Sequence, residues 1–183
     1  MTKNIGIIVG SLRKESYNMK VALNMVKLFP DDYQVQIIDI SQLPLYNQDY
    51  DDHDEVPAAW QTFRDTMKQV DAVLFVTPEY NRSIPAPLKN AIDVGSRPYG
   101  ESVWDGKPAA VVSASTGAIG GALANMVLRQ SLVFLNMPTV QQPEVYLGHV
   151  QNMLSDDGSF KDEGTTKFLQ TLVDAFVKLI EKY

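Results

Sequence analysis

The chain has 183 residues, of which 45% are hydrophobic and 21% charged, and its formal net charge at pH 7 is −6. This balance is typical of a globular protein with one domain over residues 1–183, and the acidic charge disfavours nucleic acid or an anionic membrane as the main partner. The lack of cysteine excludes disulfides, thiolate metal sites and cysteine nucleophiles. The sequence has neither a long apolar run nor a basic leader, so we expect no membrane span and a cytoplasmic location.

The first part of the chain predicts a strand–helix–strand unit. An apolar run over residues 3–9 has the length of a strand, residues 17–29 show helical periodicity, and residues 34–39 form a second short strand. A helix that connects two strands in this way implies parallel pairing and a right-handed crossover.

Residues 41–57 are polar and rich in proline, and five carboxylates lie within residues 49–55. Such a cluster could bind a hard cation, but its spacing matches no calcium loop and it lacks the turn glycine, so a solvated loop is the favoured interpretation. Apolar residues then recur at helical spacing over residues 60–70, which predicts an amphipathic helix packed on a sheet.

The second half continues the alternation of strands and helices. Strands are predicted over residues 72–77 and 107–114, and a helix that starts at Pro87 lies between them. The helix predicted over residues 122–135 is apolar on more than one side. That pattern indicates either contact with a second subunit or a position deep in the core.

A short fifth strand is predicted near residues 138–140, residues 143–157 are irregular, and a final helix over residues 165–181 should cover one face of the sheet. The alternation predicts an α/β fold, an open, doubly wound, five-stranded parallel sheet in the order 2-1-3-4-5. In that order the loops after strands 1, 3 and 4 meet at the carboxyl edge, beside the switch point where ligands bind.

The loop after the first strand, residues 10–18, has the groups that bind a terminal phosphate. It lies before a helix N-terminus, where backbone N–H groups and the positive end of the helix dipole converge. Ser11, Ser16 and Asn18 add side-chain donors, and the guanidinium of Arg13 matches phosphate oxygens. The alternative is an ordinary polar loop whose Ser and Asn side chains only cap the helix.

The other two loops offer groups suited to a flat polar ring. The loop after the third strand has Tyr80 and Asn81 beside prolines that stiffen the backbone, and residues 115–121 are small enough for backbone N–H groups to approach a ring. A phosphate at one end and a planar heterocycle at the other describe a mononucleotide, for which FMN is the best fit. The dinucleotide fingerprint Gly-x-Gly-x-x-Gly is absent from the first loop, and the Walker pattern is missing.

Only two histidines, His53 and His149, occur in the chain, and they lie in unrelated contexts. A Ser-His-Asp triad or a histidine metal cluster is therefore disfavoured. If the protein is an enzyme, we expect an organic cofactor to carry the chemistry.

Four motifs together resemble the NADPH-dependent FMN reductases, a flavodoxin-like family that includes quinone, azo-dye and chromate reductases. They are Gly10-Ser-x-Arg-x-x-Ser-x-Asn18, Pro78-Glu-Tyr-Asn81 with Ser83-Ile-Pro85, Leu88-Lys-Asn-Ala-Ile-Asp93, and Ser115-x-Gly-x-x-Gly-Gly121. The resemblance runs from the first strand through the helix after the fourth.

The resemblance implies a flavodoxin-like fold and an FMN site built from these motifs. The implied contacts of the FMN phosphate are Ser11, Arg13, Ser16, Tyr17 and Asn18. The residues that would line the isoalloxazine ring are Pro78, Glu79, Tyr80 and Asn81, with its pyrimidine end held by Ser115, Thr116 and Gly117. Family members are dimers whose flavin sites lie at the subunit interface, so the resemblance implies a homodimer or a tetramer.

The implied activity is that of an FMN-dependent NAD(P)H oxidoreductase. Hydride passes from NADPH or NADH to flavin N5, and a small acceptor such as a quinone, an azo compound or a flavin then takes two electrons. No protein acid or base is required for the first step, so no catalytic side chain is predicted. A flavodoxin-type electron carrier and a non-catalytic flavin-dependent sensor are the alternatives.

Two charged features near these loops have competing interpretations. Arg82 is the candidate contact for the phosphates of NADPH or for an anionic acceptor, or it pairs with a nearby carboxylate. Lys89 and Asp93 lie at i and i+4, a spacing that predicts an ion pair on the helix surface.

Overall fold

The computed structural model describes residues 2–183. Its centre is a five-stranded sheet in the order β2-β1-β3-β4-β5, and every neighbouring pair of strands is parallel. The strands are β1 (Lys3–Val9), β2 (Tyr33–Ile38), β3 (Ala72–Thr77), β4 (Ala109–Ala114) and β5 (Val145–Leu147). The predicted α/β class and strand order are confirmed.

Seven helices connect and flank the strands within residues 2–183. They are α1 (Tyr17–Val26), α2 (Asp49–Asp52), α3 (Ala58–Lys68), α4 (Ala86–Gly95), α5 (Ala122–Phe134), α6 (Val150–Met153) and α7 (Glu163–Ile180). None of these helices is long and apolar enough to cross a membrane.

The helices form one layer on each face of the sheet, with a hydrophobic core under each layer. Side chains of α1 and α7 share one core with Ile7 and Leu74, whereas α3, α4 and α5 share the other with Ile8 and Phe75. Successive strand residues point to opposite faces, and both faces are covered, so β3 and β4 are buried at every position. This double burial explains why both strands read as continuous apolar runs in the sequence.

The strand register aligns the ends of β1, β3 and β4 at one edge of the sheet. Val9 pairs with Val76, and Thr77 pairs with Ser113. The chain then leaves each strand at a similar height, and Gly10 still donates its N–H to the carbonyl of Val76 at 2.9 Å. The loops after these three strands are therefore neighbours.

The predicted position of the fifth strand is wrong. Residue Thr139 forms only an isolated parallel bridge with Ala109, and β5 lies at Val145–Leu147, where it pairs with the end of β4. Val140 is the single apolar residue between polar neighbours, whereas Val145 and Leu147 alternate with Tyr146 and bury both aliphatic side chains. The alternation of buried and partly exposed residues sets the register of β5 against β4. In this register β5 ends beside Ala114, so the chain that follows β5 lies at the carboxyl edge of the sheet.

The interpretation of the acidic segment as a solvated loop is also wrong for Asp51. Its carboxylate forms a two-pronged ion pair with Arg64, with N–O distances of 2.7 and 2.9 Å. Both side chains are buried, with 4% and 6% of their surface exposed. The Arg64 guanidinium also donates to the carbonyl of Val94 and lies 5.4 Å from the ring centre of Trp60. The ion pair ties the long connection before α3 to α3, and the bond from Arg64 to Val94 ties α3 to the end of α4.

Replacing Asp51 by Asn should lower the free energy of unfolding by about 3 kcal/mol, because the charge of Arg64 then stays buried without its partner. Urea unfolding of the variant measures this change. The control is Asp93→Asn, which breaks the exposed i,i+4 pair between Asp93 and Lys89 (2.7 Å) and should change the stability by less than about 0.5 kcal/mol. Similar losses in the two variants would contradict a structural role for the buried pair.

Candidate functional site

A cleft of about 110 Å³ opens at the carboxyl edge of the sheet, between the loops that follow β1, β3 and β4. The residues that line it are Ser11, Arg13, Tyr17, Asn18, Pro78, Glu79, Tyr80, Ala114, Ser115, Thr116 and Val150. Most of the residues predicted for the site thus come together, although Ser16, Asn81, Arg82 and Gly117 do not line this cleft. Ala114 and Val150 were not predicted from the sequence.

The first loop ends at the N-terminus of α1, where Ser16 has a capping role. Its hydroxyl accepts a hydrogen bond from the backbone N–H of Met19 at 3.1 Å, and the residue is buried. Ser16 therefore caps α1. Arg13 is exposed, and no carboxylate within residues 2–183 forms an ion pair with it, so its guanidinium is available to an anion at the cleft.

The second loop forms a tight hairpin over Tyr80–Ser83. The backbone groups of Tyr80 and Ser83 exchange two hydrogen bonds of 3.0 Å. The two residues between them, Asn81 and Arg82, have positive φ angles of 51° and 66°, as a type I′ turn requires. Left-handed backbone is unfavourable for arginine, so the surrounding contacts must hold this turn.

Glu79, directly before the hairpin, connects the second loop to α5. One of its carboxylate oxygens accepts from the backbone N–H groups of Leu123 and Ala124, at 3.0 and 3.2 Å. These groups lie in the first turn of α5, whose own N-cap residue, Gly121, has no side chain to cap it. Glu79 therefore caps α5 from another loop, and its negative charge lies at the positive end of the helix dipole.

The other carboxylate oxygen of Glu79 pairs with Arg82 at 3.3 Å. The predicted alternative for Arg82, pairing with a nearby carboxylate, is the arrangement present in the structure. The guanidinium remains largely exposed, whereas only 10% of the Glu79 side chain is exposed. The Glu79 carboxylate thus contacts both α5 and Arg82, and Glu79 is also one of the residues that line the cleft.

The third loop is held by the segment that follows β5. Ser115 donates its N–H to the carbonyl of Leu147, and the N–H groups of His149 and Val150 donate to the carbonyls of Gly117 and Ser115. The two segments approach closely, since a Cβ atom at Gly148 would lie 2.3 Å from the carbonyl oxygen of Ala118. Only glycine fits there. The displaced fifth strand explains why sequence reasoning missed this support.

Within residues 2–183, no group of three or more histidine, aspartate or glutamate side chains is placed to hold a metal ion. The cleft offers an exposed guanidinium and a helix N-terminus on one side, and backbone groups of a small-residue loop with an exposed tyrosine on the other. The first side suits an anion, and the second suits a flat ring. A doubly wound sheet with such a cleft at its switch point defines a protein of the flavodoxin-like class.

Comparison with known proteins identifies the family within this class. The family model for NADPH-dependent FMN reductase matches residues 3–152. The chain therefore belongs to the NADPH-dependent FMN reductase family, and the predicted FMN-dependent NAD(P)H oxidoreductase class is confirmed.

The relatives extend over almost the whole chain. A quinone reductase of Pseudomonas putida is 54% identical over 178 residues, which cover 97% of this chain and 95% of the relative. A 2-hydroxy-1,4-benzoquinone reductase of a Burkholderia species is 43% identical and covers 96% of this chain and 95% of its own length. The solved structure of FerB, a flavoenzyme NAD(P)H:(acceptor) oxidoreductase from Paracoccus denitrificans, superposes with a TM-score of 0.91 at 43% identity and covers 98% of both chains.

The contact between Glu79 and the first turn of α5 can be tested separately from its ion pair with Arg82. Glu79→Ala should lower the free energy of unfolding by about 1–2 kcal/mol and speed hydrogen exchange of the Leu123 and Ala124 amides, because both lose their acceptor. Arg82→Ala is the matched control, since it removes only the exposed pair and should leave those amides protected. Equal exchange of the amides in both variants would show that Glu79 does not cap α5 without its ion pair to Arg82.

Proposed function

We propose that this protein passes reducing equivalents from NADPH or NADH, through FMN bound in the cleft, to a quinone or a similar small acceptor. We further propose that it works as a homodimer, alone or within a tetramer, in the cytoplasm, where reduced nicotinamides are available. The main support is the cleft at the switch point of the sheet, where groups suited to an anion lie at one end and groups suited to a flat ring lie at the other. Membership of the FMN reductase family supplies the reaction class.

The anion-binding end fits the phosphate of FMN. Arg13 is exposed and lacks an ion-pair partner within residues 2–183, and the start of α1 directs backbone N–H groups and the positive dipole end to the same place. Ser11 and Tyr17 add hydroxyl groups to the wall of the cleft. A phosphate bound there would gain a bidentate partner without breaking an existing ion pair.

The ring-binding end fits an isoalloxazine that lies at the mouth of the cleft. At about 110 Å³ the cleft is well below the 300–1,000 Å³ of typical ligand pockets, so it suits the ribityl phosphate rather than the ring system. The ring would rest against Tyr80, beside Thr116 and the backbone of Gly117, with Asn81 at the hairpin tip. Bound FMN supplies the hydride and electron-transfer chemistry.

The protein residues would position this cofactor rather than exchange protons. Pro78 and the Glu79 cap fix the second loop, and the contacts to Leu147 and His149 fix the third. Backbone N–H groups of a fixed loop can stabilise charge that develops on a ring. Arg82, at the hairpin tip, is proposed to meet an anionic group of NADPH or of the acceptor by exchanging its partner Glu79.

An apolar stripe on α5 supports a second copy of the chain as the cover of the flavin. Its exposed members are Leu123, Met126, Val133 and Phe134, of which Val133 and Phe134 expose 76% and 81% of their surface. The opposite side of α5 is buried on the sheet, so the exposed stripe corresponds to the subunit-contact interpretation. Because the stripe begins at the turn that Glu79 caps, a partner packed on it would lie beside the mouth of the cleft.

A quinone is proposed as the acceptor because two relatives that match nearly the whole chain are named as a quinone reductase and a 2-hydroxy-1,4-benzoquinone reductase. An aromatic acceptor can stack on an exposed flavin face beside Tyr80, and it needs no dedicated acid or base in the protein for electron transfer. Azo compounds and free flavin share this planar character and remain secondary candidates.

The proposed reaction is tested by anaerobic mixing of the flavin-loaded protein with NADPH or NADH. The visible flavin absorbance should bleach much faster than that of free FMN at the same concentration, and added benzoquinone should restore it with one quinone consumed per flavin. Bound flavin that keeps its colour would favour an electron carrier or a sensor instead. Bleaching without recovery on benzoquinone would rule out the acceptor class.

The proposed dimer is tested by Phe134→Glu, with Phe168→Glu on α7 as the control because Phe168 is also an exposed aromatic residue. A charge in the apolar contact should raise the dimer dissociation constant at least about 100-fold and weaken the retention of FMN, whereas the control should change neither. Analytical ultracentrifugation and flavin content after dialysis measure the two effects. A Phe134→Glu variant that stays dimeric would exclude this stripe as the interface.

A further inference from the structure

Asn18 occupies an unusual position in the wall of the cleft. It is the second residue of α1, only 5% of it is exposed, and it lines the cleft together with Ala114. Its amide nitrogen Nδ2 donates to the carbonyl oxygen of Ala114 at 3.1 Å. This bond fixes the orientation of the amide, because the flipped arrangement would place two oxygens against each other.

The amide oxygen of Asn18 has no donor. Oδ1 is buried and has no hydrogen-bond partner within residues 2–183. A buried acceptor without a donor destabilises a protein by about 1–3 kcal/mol, and such atoms are rare unless a ligand or water completes them. Because Asn18 lines a ligand cleft, the missing donor is expected on the ligand.

The phosphate of FMN is a poor donor for this oxygen. At neutral pH it is mostly dianionic, so its oxygens accept hydrogen bonds and would repel another acceptor. The ribityl chain next to the phosphate bears three hydroxyl groups, each of which can donate. On the proposed FMN site we infer that Asn18 Oδ1 accepts a hydrogen bond from a ribityl hydroxyl, which leaves the phosphate to Ser11, Arg13 and the N-terminus of α1.

This assignment changes the role that the family resemblance implies for Asn18, which was a phosphate contact. It divides the first loop into an anion-binding part, centred on Arg13, and a part that binds the ribityl hydroxyls, centred on Asn18, whose amide is oriented by the Ala114 carbonyl of β4. The site then selects a flavin by its sugar alcohol as well as by its charge. A bare phosphate cannot satisfy Asn18, and a flavin without the ribityl chain cannot either.

The first experiment changes the ligand and leaves the protein intact. The flavin-free protein is titrated with FMN and with its 2′-, 3′- and 4′-deoxyribityl analogues, and binding is followed by the quenching of flavin fluorescence. One analogue should bind about fivefold to tenfold more weakly than FMN, the effect of one neutral hydrogen bond. In the Asn18→Ala variant that analogue and FMN should bind equally well. Three analogues that bind like FMN, or a loss that persists in the variant, would overturn the inference.

The second experiment separates the hydroxyl contact from a phosphate contact by comparing FMN with riboflavin. Asn18→Ala should weaken both flavins by the same factor, whereas Arg13→Ala should weaken FMN by about tenfold or more and leave riboflavin unchanged. A penalty of Asn18→Ala that disappears with riboflavin would make Asn18 a phosphate contact.

These outcomes are distinct from a failure of the proposed function. If the unmodified protein binds neither FMN nor riboflavin, the FMN site itself is wrong. If it binds FMN but does not distinguish the deoxyribityl analogues, the FMN site stands and only the role of Asn18 is wrong. The melting temperature of the Asn18→Ala variant reports whether the lost bond to Ala114 affects folding.

Discussion

The parallel register of β1, β3 and β4 is the constraint on which the rest of the structure depends. Val9 lies beside Val76 and Thr77 beside Ser113, so the loops after these three neighbouring strands begin at the same height. The order of strands reverses between β1 and β3, which leaves a gap at the carboxyl edge that no crossover covers. Burial of both sheet faces sets this register, and the cleft is its consequence.

Helix α5 connects the parts of the molecule that the proposed reaction needs. Its buried side packs on the sheet, its first turn receives the carboxylate of Glu79, and its outer side bears the exposed apolar stripe. The left-handed turn at Asn81 and Arg82 is closed by two backbone hydrogen bonds between Tyr80 and Ser83, and Glu79 connects the residue before it to this helix. The second loop, which lines the cleft, and the proposed subunit contact therefore share α5, and a change at either should affect the other.

The sequence was sufficient for the strand order and for most of the cleft, because apolar runs buried on both faces and loops of unusual composition are local signals. It was not sufficient where a distant partner decides. The fifth strand was predicted near Val140 from its local apolar pattern, but it forms at Val145–Leu147, where it pairs with the end of β4. Asp51 is buried because Arg64 of the following helix α3 neutralises its charge. The cap that Glu79 provides to α5 and the unpaired amide oxygen of Asn18 depend on residues distant in the sequence, so no local sequence pattern indicates them.

The central claim is that the cleft holds FMN with its phosphate at the N-terminus of α1 and its ring at the mouth. A crystal structure of the protein with bound FMN tests this most directly. We expect a phosphate in contact with Arg13 and Ser11, and an isoalloxazine ring against Tyr80 beside Thr116. A phosphate located at residues 115–117 with the ring at α1, or a flavin bound outside the cleft, would contradict this placement.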